Sequence, residues 1–155
     1  MSLSIHLQTD TITPDLRRRM RRLENPGPAL RGAGMVVVSI AKDAFTNASI
    51  RPSGWDPLKP ETISKKAKMD YGSSPLIASG TLAHSPRFIE ANKNYVTVGS
   101  DRRAGAWSLA GIHQLGAPRA HIPARPFFPF KPSGEATALA KSRVREVIVR
   151  WLARL

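Results

Sequence analysis

Apolar residues recur along this chain at two different periods, and the change of period marks out its elements. Leu16, Met20 and Leu23 fall at steps of four and three, with "RRRMRR" running through residues 17–22. That spacing predicts a helix. Thr13 suits its cap, Pro14 its first position and Asp15 the positive end of its dipole. "ENPGP" at 24–28 stops it. A second stripe takes in Ala29, Ala33, Val36, Val37, Ile40, Ala41, Ala44 and Phe45. Inside it lies "MVVVSI" at 35–40, a β-branched run for which a strand is the rival reading. The stripe continues on both sides of the valines, so a helix is expected. The period then shifts to two. "RFIEA" at 87–91 and "YVTVG" at 95–99 flank Asn92-Lys93-Asn94, a hairpin signal. Tyr95 and Thr97 fall on one face, Val96 and Val98 on the other. The clearest stripe closes the chain. Ala140, Val144, Val147, Ile148, Trp151, Leu152 and Leu155 share a face, with Arg143, Arg150 and Arg154 roughly opposite. It predicts a helix over 134–154, with Ser133 and Glu135 suited to its beginning.

The connections are less regular. Residues 51–75, "RPSGWDPLKPETISKKAKMDYGSSP", read as a long loop in which Pro60-Glu61-Thr62 opens one or two helical turns through Lys68. Isolated apolar residues, Trp55, Leu58 and Ile63, punctuate it. "LIASGTLAHS" at 76–85 reads as a short helical turn, and "AWSLAGIHQLG" at 106–116 as a short helix ending at Gly116. A proline-rich arm at 118–132 reads as an extended edge strand, in which Phe128 and Phe130 share one face and Phe127 takes the other. The expected fold is α+β: a small antiparallel sheet packed by N-terminal and C-terminal helices, with a long protruding loop. One domain over 1–155 is expected, divided into a helical part (12–50), the loop (51–75), a hairpin, short helix and proline-rich strand (76–132), and the last helix (133–155).

Charge changes the picture. The 155 residues carry 24 Lys+Arg against 11 Asp+Glu, a net +13. A field of this sign favours an anionic partner: nucleic acid, anionic lipid or an acidic protein surface. With 41% hydrophobic residues the chain is not a disordered basic tail. It has no cysteine, hence no disulfide framework and no thiolate metal site. The N-terminus lacks the basic-then-apolar layout of a secretory signal, and no apolar run is long enough to span a bilayer. No membrane partner is expected.

Catalytic chemistry leaves little trace. There is no glycine-rich phosphate loop, no dinucleotide fingerprint and no paired-histidine metal spacing. His6, His84, His113 and His121 are scattered. The serines lack a nucleophile-elbow setting, and Asp56 and Glu61 lie in a proline-rich loop with nothing apolar to raise a pKa. No enzyme activity, cofactor or metal is expected. His113 reads most simply as a polar residue at a helix end. Trp55 is either a plug for the chain's own core or an anchor between subunits. Arg17, Arg18, Arg21 and Arg22 are either a solvated face or contacts to DNA phosphates or an acidic neighbour.

Taken in order, the anchors form a series. "GWDPLKPETISKK" supplies Trp55, Pro57, Leu58, Thr62, Lys65 and Lys66; "PLIASGTLAHS" supplies Leu76, Ser79, Gly80, Leu82 and Ser85. "YVTVGS" ends on Val98 and Gly99, "AGIHQLG" holds Ala110, His113, Gln114 and Gly116, and "IPARPFFPF" holds Pro123, Ala124, Arg125, Pro126 and Phe127. This series resembles the virion morphogenesis, or tail-completion, family of Mu-like tailed phages, over roughly residues 50–155. The resemblance implies a structural role in the neck or tail end of the virion, assembled in the host cytoplasm. It implies a homo-oligomeric ring, a hexamer by analogy with related neck proteins, with neighbouring neck and tail-tube proteins as partners and DNA passing through the lumen. It carries over no catalytic residue and no cofactor. On this view the proline-rich arm is a rigid extension serving subunit packing. Trp55, Leu58, Arg125, Phe127 and Phe128 are its expected interface residues, with Arg125 offered to a neighbour's carboxylate. Arg17, Arg18, Arg21 and Arg22 would face the DNA lumen or an acidic partner. A basic nucleic-acid-binding protein acting outside a ring is the alternative.

Overall fold

The computed structural model describes residues 12–154; His6 and Leu155 lie outside them. The described residues form helices α1 (Ile12–Leu23), α2 (Gly27–Asp43), α3 (Pro60–Lys68), α4 (Leu109–Leu115) and α5 (Ala138–Leu152). Two antiparallel hairpins complete them: β1 (Arg87–Ala91) with β2 (Val96–Gly99), and β3 (Arg103–Ala104) with β4 (Trp107–Ser108). The α+β class and the small sheet flanked by helices are as the sequence predicts.

The architecture is organised around α2. The valine run is helical, because the apolar stripe on both sides needs the helical period to reach one face. Ala29, Ala33, Val37, Val38, Ile40 and Ala41 are buried along it. Two glycines set how closely its neighbours approach. A Cβ at Gly34 would stand 2.5 Å from Val96 Cγ2, so the β1–β2 hairpin lies directly on the helix there. A Cβ at Gly32 would stand 2.9 Å from Val147 Cγ1, which brings α5 equally close on another side. The hairpin presents Val96 and Val98 to α2 and leaves Tyr95 exposed, in keeping with the predicted faces. Its register shifts between Phe88 and Glu90, and the extra residue, Ile89, points outward. The Asn92 side chain closes the turn, accepting from the amides of Asn94 at 2.8 Å and Tyr95 at 3.0 Å.

Several boundaries differ from expectation. Helix α1 already includes Ile12, so Thr13 lies in its first turn rather than at its cap. Helix α5 begins at Ala138, not near residue 134: Thr137 caps it, its hydroxyl accepting from the Ala140 amide. Glu135 instead bridges Lys131 and Lys141, and those ammonium groups hold its carboxyl down to about 2. Residues 107–108 form strand β4 rather than the first turn of a helix, and α4 starts one residue later with Ser108 as its cap. The segment 76–85 holds one helical hydrogen bond, His84 N–H to the Gly80 carbonyl, within a series of turns. Among the described residues, 118–132 contributes no strand to a sheet. It holds a short 3-10 turn at Pro118–Ala120, isolated bridges from Ala117 to Ile122 and from Phe130 to Ala136, and irregular extended chain. Prolines 123, 126 and 129 remove the amides that a ladder would use.

Candidate functional site

Sequence motifs from distant parts of the chain meet at the C-terminal end of α2. There Ala41, Ala44, Phe45, Leu82, Ala110 and Phe127 form one buried cluster, with Trp55, Leu76, Ile77 and Phe128 packed against it. Phe127 is fully buried. Its ring lies 4.8 Å from Phe45 and 4.9 Å from Phe128, and Phe45 meets Trp55 edge-on at 5.8 Å. Such pairs add to the burial of area alone.

The arm 123–130 needs partners for its backbone, since it joins no sheet. Gln114 supplies them. Its Oε1 accepts from the amides of Phe127 (3.2 Å) and Phe128 (3.0 Å). Its Nε2 donates to the carbonyls of Phe128 (3.1 Å) and Phe130 (3.0 Å). One side chain thus does the work of a short strand pairing, presented from the last turn of α4. The neighbouring His113 carbonyl accepts from the Arg125 amide at 2.6 Å. Gly116, at φ 79°, turns the chain back beneath this point, and a Cβ there would stand 3.0 Å from the Ala124 nitrogen.

A second set of bonds ties the arm to the beginning of the long loop. Arg125 is 7% exposed, and its guanidinium donates to the carbonyls of Asp56 (3.0 Å) and Pro57 (3.2 Å). The Trp55 indole N–H donates to the Pro126 carbonyl at 2.9 Å. Arg51 caps the end of α2, donating to Ala44 and Phe45 carbonyls, and stacks over the Trp55 ring at 3.7 Å. Burial lowers the Arg51 pKa. The loop is therefore bound down over its first part, and its outward portion is α3, which has no buried residue.

Within one copy these contacts assign each residue a place. Phe127 belongs to the core. Arg125 gives its fork to backbone carbonyls of the same chain. Trp55 is half-buried and packs against the core cluster. Leu58 and Phe128 are half-buried, and Leu58 lines a groove of about 820 Å³ between the loop and residues 115–125.

His113 sits beside this clasp with its Nδ1 buried and unpartnered. Burial, and then the charge of Arg125, lower its pKa, which favours the neutral imidazole. Among the described residues no acid hydrogen-bonds to its side chain. Among the described residues no cluster of His, Asp or Glu is arranged to hold a metal ion.

The arginines of α1 form a separate region. Arg18, Arg21 and Arg22 line a cavity of about 380 Å³ with Trp151 and Arg154, and Arg22 donates to the Arg154 carbonyl at 2.8 Å. Arg17 is exposed and lies outside that lining. Asp15 pairs with Arg19 at 2.9 Å, which lowers its pKa. Sequence reasoning missed Trp107, which is 71% exposed at the edge of an apolar groove lined by Ile112, Ala117 and Ile122. Its neighbours "AGAWS" carry no clear period, so only the β3–β4 turn at Gly105 (φ 58°) reveals it.

Compared with known proteins, the chain matches the family model described as the phage virion morphogenesis family over residues 7–153. No curated protein and no solved structure matches it.

Proposed function

The chain belongs to the phage virion morphogenesis family, and from that premise we propose that it is a structural part of the head–tail neck or tail end. In this reading copies pack as a ring, a hexamer by analogy, that completes the tail and lets it join the filled head. The observation that carries the reading is the family match itself, which covers nearly the whole chain. Membership points to a role in building the virion and to structural rather than catalytic work.

The geometry supports this in three ways. The clasp ties the start of the long loop, the end of α4 and the proline-rich arm into one body, from which a ring subunit could present its surfaces. Helix α3 has no buried residue, and a head-to-tail ring contact needs one exposed feature and one receiving surface. Leu58 and Phe128 remain available to such a neighbour. The net charge of +13 suits either a lumen around DNA or acidic surfaces of adjoining neck and tail-tube proteins. Among the described residues no helix is long and apolar enough to cross a membrane.

Particles assembled without this chain test the proposal. Full heads beside separate tails are expected under the electron microscope; normal yields of joined virions would contradict it. The second reading, a nucleic-acid-binding protein acting outside a ring, is favoured by the charge and the arginine-lined cavity. Light scattering after gel filtration at low and high salt separates the two. Concentration-dependent assembly supports the ring, whereas a monomer that binds duplex DNA with a steep salt dependence supports the alternative.

A further inference from the structure

Helix α1 has its amphipathic pattern turned inside out. Leu16, Met20 and Leu23 share one face, and they are 53%, 60% and 50% exposed. Arg18, Arg21 and Arg22 lie behind them and are the side chains aimed at Trp151 and Arg154 of the same copy. The helix thus turns its charged face to its own body and its apolar stripe to solvent. None of its described side chains is buried. At 12 residues it is also at the lower limit of what holds together without tertiary cover. Something else must cover it for the stripe to have a purpose.

We propose that the Leu16–Met20–Leu23 face docks into an apolar groove with an acidic rim on a different protein of the virion. Arg17 and Arg19 border the stripe on its two sides, and Arg19 already engages Asp15, so a complementary groove would carry its carboxylates chiefly along the Arg17 edge. A second copy of this chain is a poor match: its net charge is +13, with 24 bases against 11 acids, and four of those acids, Asp15, Asp101, Glu135 and Glu146, are already paired with bases of their own copy. Arg143, Arg145 and Arg150 on the outer side of α5 would repel an incoming α1. A DNA backbone offers phosphates to the arginines but nothing apolar to the stripe. A bilayer interface takes a broad apolar face with large aromatic residues, whereas this stripe is one residue wide and has none. The proposal rests on the virion role argued above and specifies one partner surface for it.

The test places a photo-crosslinking amino acid at Met20 and assembles particles in infected cells. The expected product is a crosslink to a different virion protein, at a peptide rich in Asp and Glu. A crosslink to a second copy or to DNA overturns the proposal, as does the absence of any crosslink in particles that contain the chain. Flotation of the purified protein with phosphatidylglycerol vesicles overturns it too. If the chain is missing from particles altogether, it is the virion role that fails, and this inference falls with it. In parallel, the Leu16→Asp, Met20→Asp double variant should enter particles about tenfold less, or lower still, as loss of a central contact demands. Its purified form should melt within about 2 °C of the parent, since the stripe is uncovered in the single copy. A larger drop would mean that the stripe is buried at home, which also overturns the proposal. Met20→Leu should behave as the parent in both measurements.

Discussion

The proline-rich arm and helix α1 invert each other's appearances. The arm has the composition of a docking element: stiff prolines, clustered phenylalanines and an arginine. Yet Phe127 and Arg125 are consumed inside one copy, and Gln114 ties down the backbone between them. Helix α1 reads as an ordinary amphipathic helix, the kind whose apolar face joins the core. Yet that face is outside. A rigid aromatic run and an apolar stripe each announce that something will be covered. Neither says whether the cover comes from the same chain.

The largest effect that sharpens this contrast belongs to Phe127. Phe127→Ala should cost about 3–5 kcal/mol of unfolding free energy, because it removes the one ring shared by Phe45 and Phe128. Urea unfolding of the isolated protein measures it. A loss below about 1 kcal/mol would return Phe127 to an interface role. Next comes Gln114. Gln114→Ala leaves the amides of Phe127 and Phe128 and the carbonyls of Phe128 and Phe130 without that partner, at a cost of about 2–4 kcal/mol by the same measurement. Gln114→Glu keeps the acceptor but sets a carboxylate oxygen against the carbonyls of Phe128 and Phe130, and should cost at least as much as Gln114→Ala near neutral pH.

A smaller, pH-dependent effect follows from His113. Its folded-state pKa lies below the usual histidine value of 6.5, so the unfolded chain binds a proton more readily than the folded one. Its contribution is complete above about pH 6.5 and is lost as the pH falls from there through the folded-state value. His113→Gln should flatten the stability curve in that window. A curve with the same slope in parent and variant would remove His113 as its source. The smallest effect belongs to α1: Leu23→Ala should change the stability of the isolated chain by no more than about 0.5 kcal/mol, as for an exposed surface residue. Together these substitutions rank the two regions by what each contributes before assembly.

Periodicity made much of the fold legible. The stripe of α2 points to a face that the structure buries, and the α5 stripe and the hairpin alternation point to faces packed on α2 that are only half-buried, with Ala140 buried and Leu152 left exposed at the end of α5. The valine run in α2 was ambiguous from propensity alone, and the length of the stripe decided it. The β3–β4 hairpin was not legible, because strands of two residues carry no period. The clasp was legible only as a set of residues. Trp55, Gln114, Arg125 and Phe127 stand out in the sequence, but what they do depends on side chain to backbone bonds that span up to 71 positions. Those same residues carry the family resemblance. They hold one copy together, so the resemblance reports at least the body of the molecule. No stripe read from sequence could show that α1 faces outward.

Hydrogen exchange, followed amide by amide in the isolated protein and again in assembled particles, tests this division most directly. The Phe127 and Phe128 amides, held by Gln114, should be protected in both states, and the amides of α1 should gain protection only on assembly. An α1 already protected in the isolated chain, or an arm that exchanges freely until particles form, would contradict it.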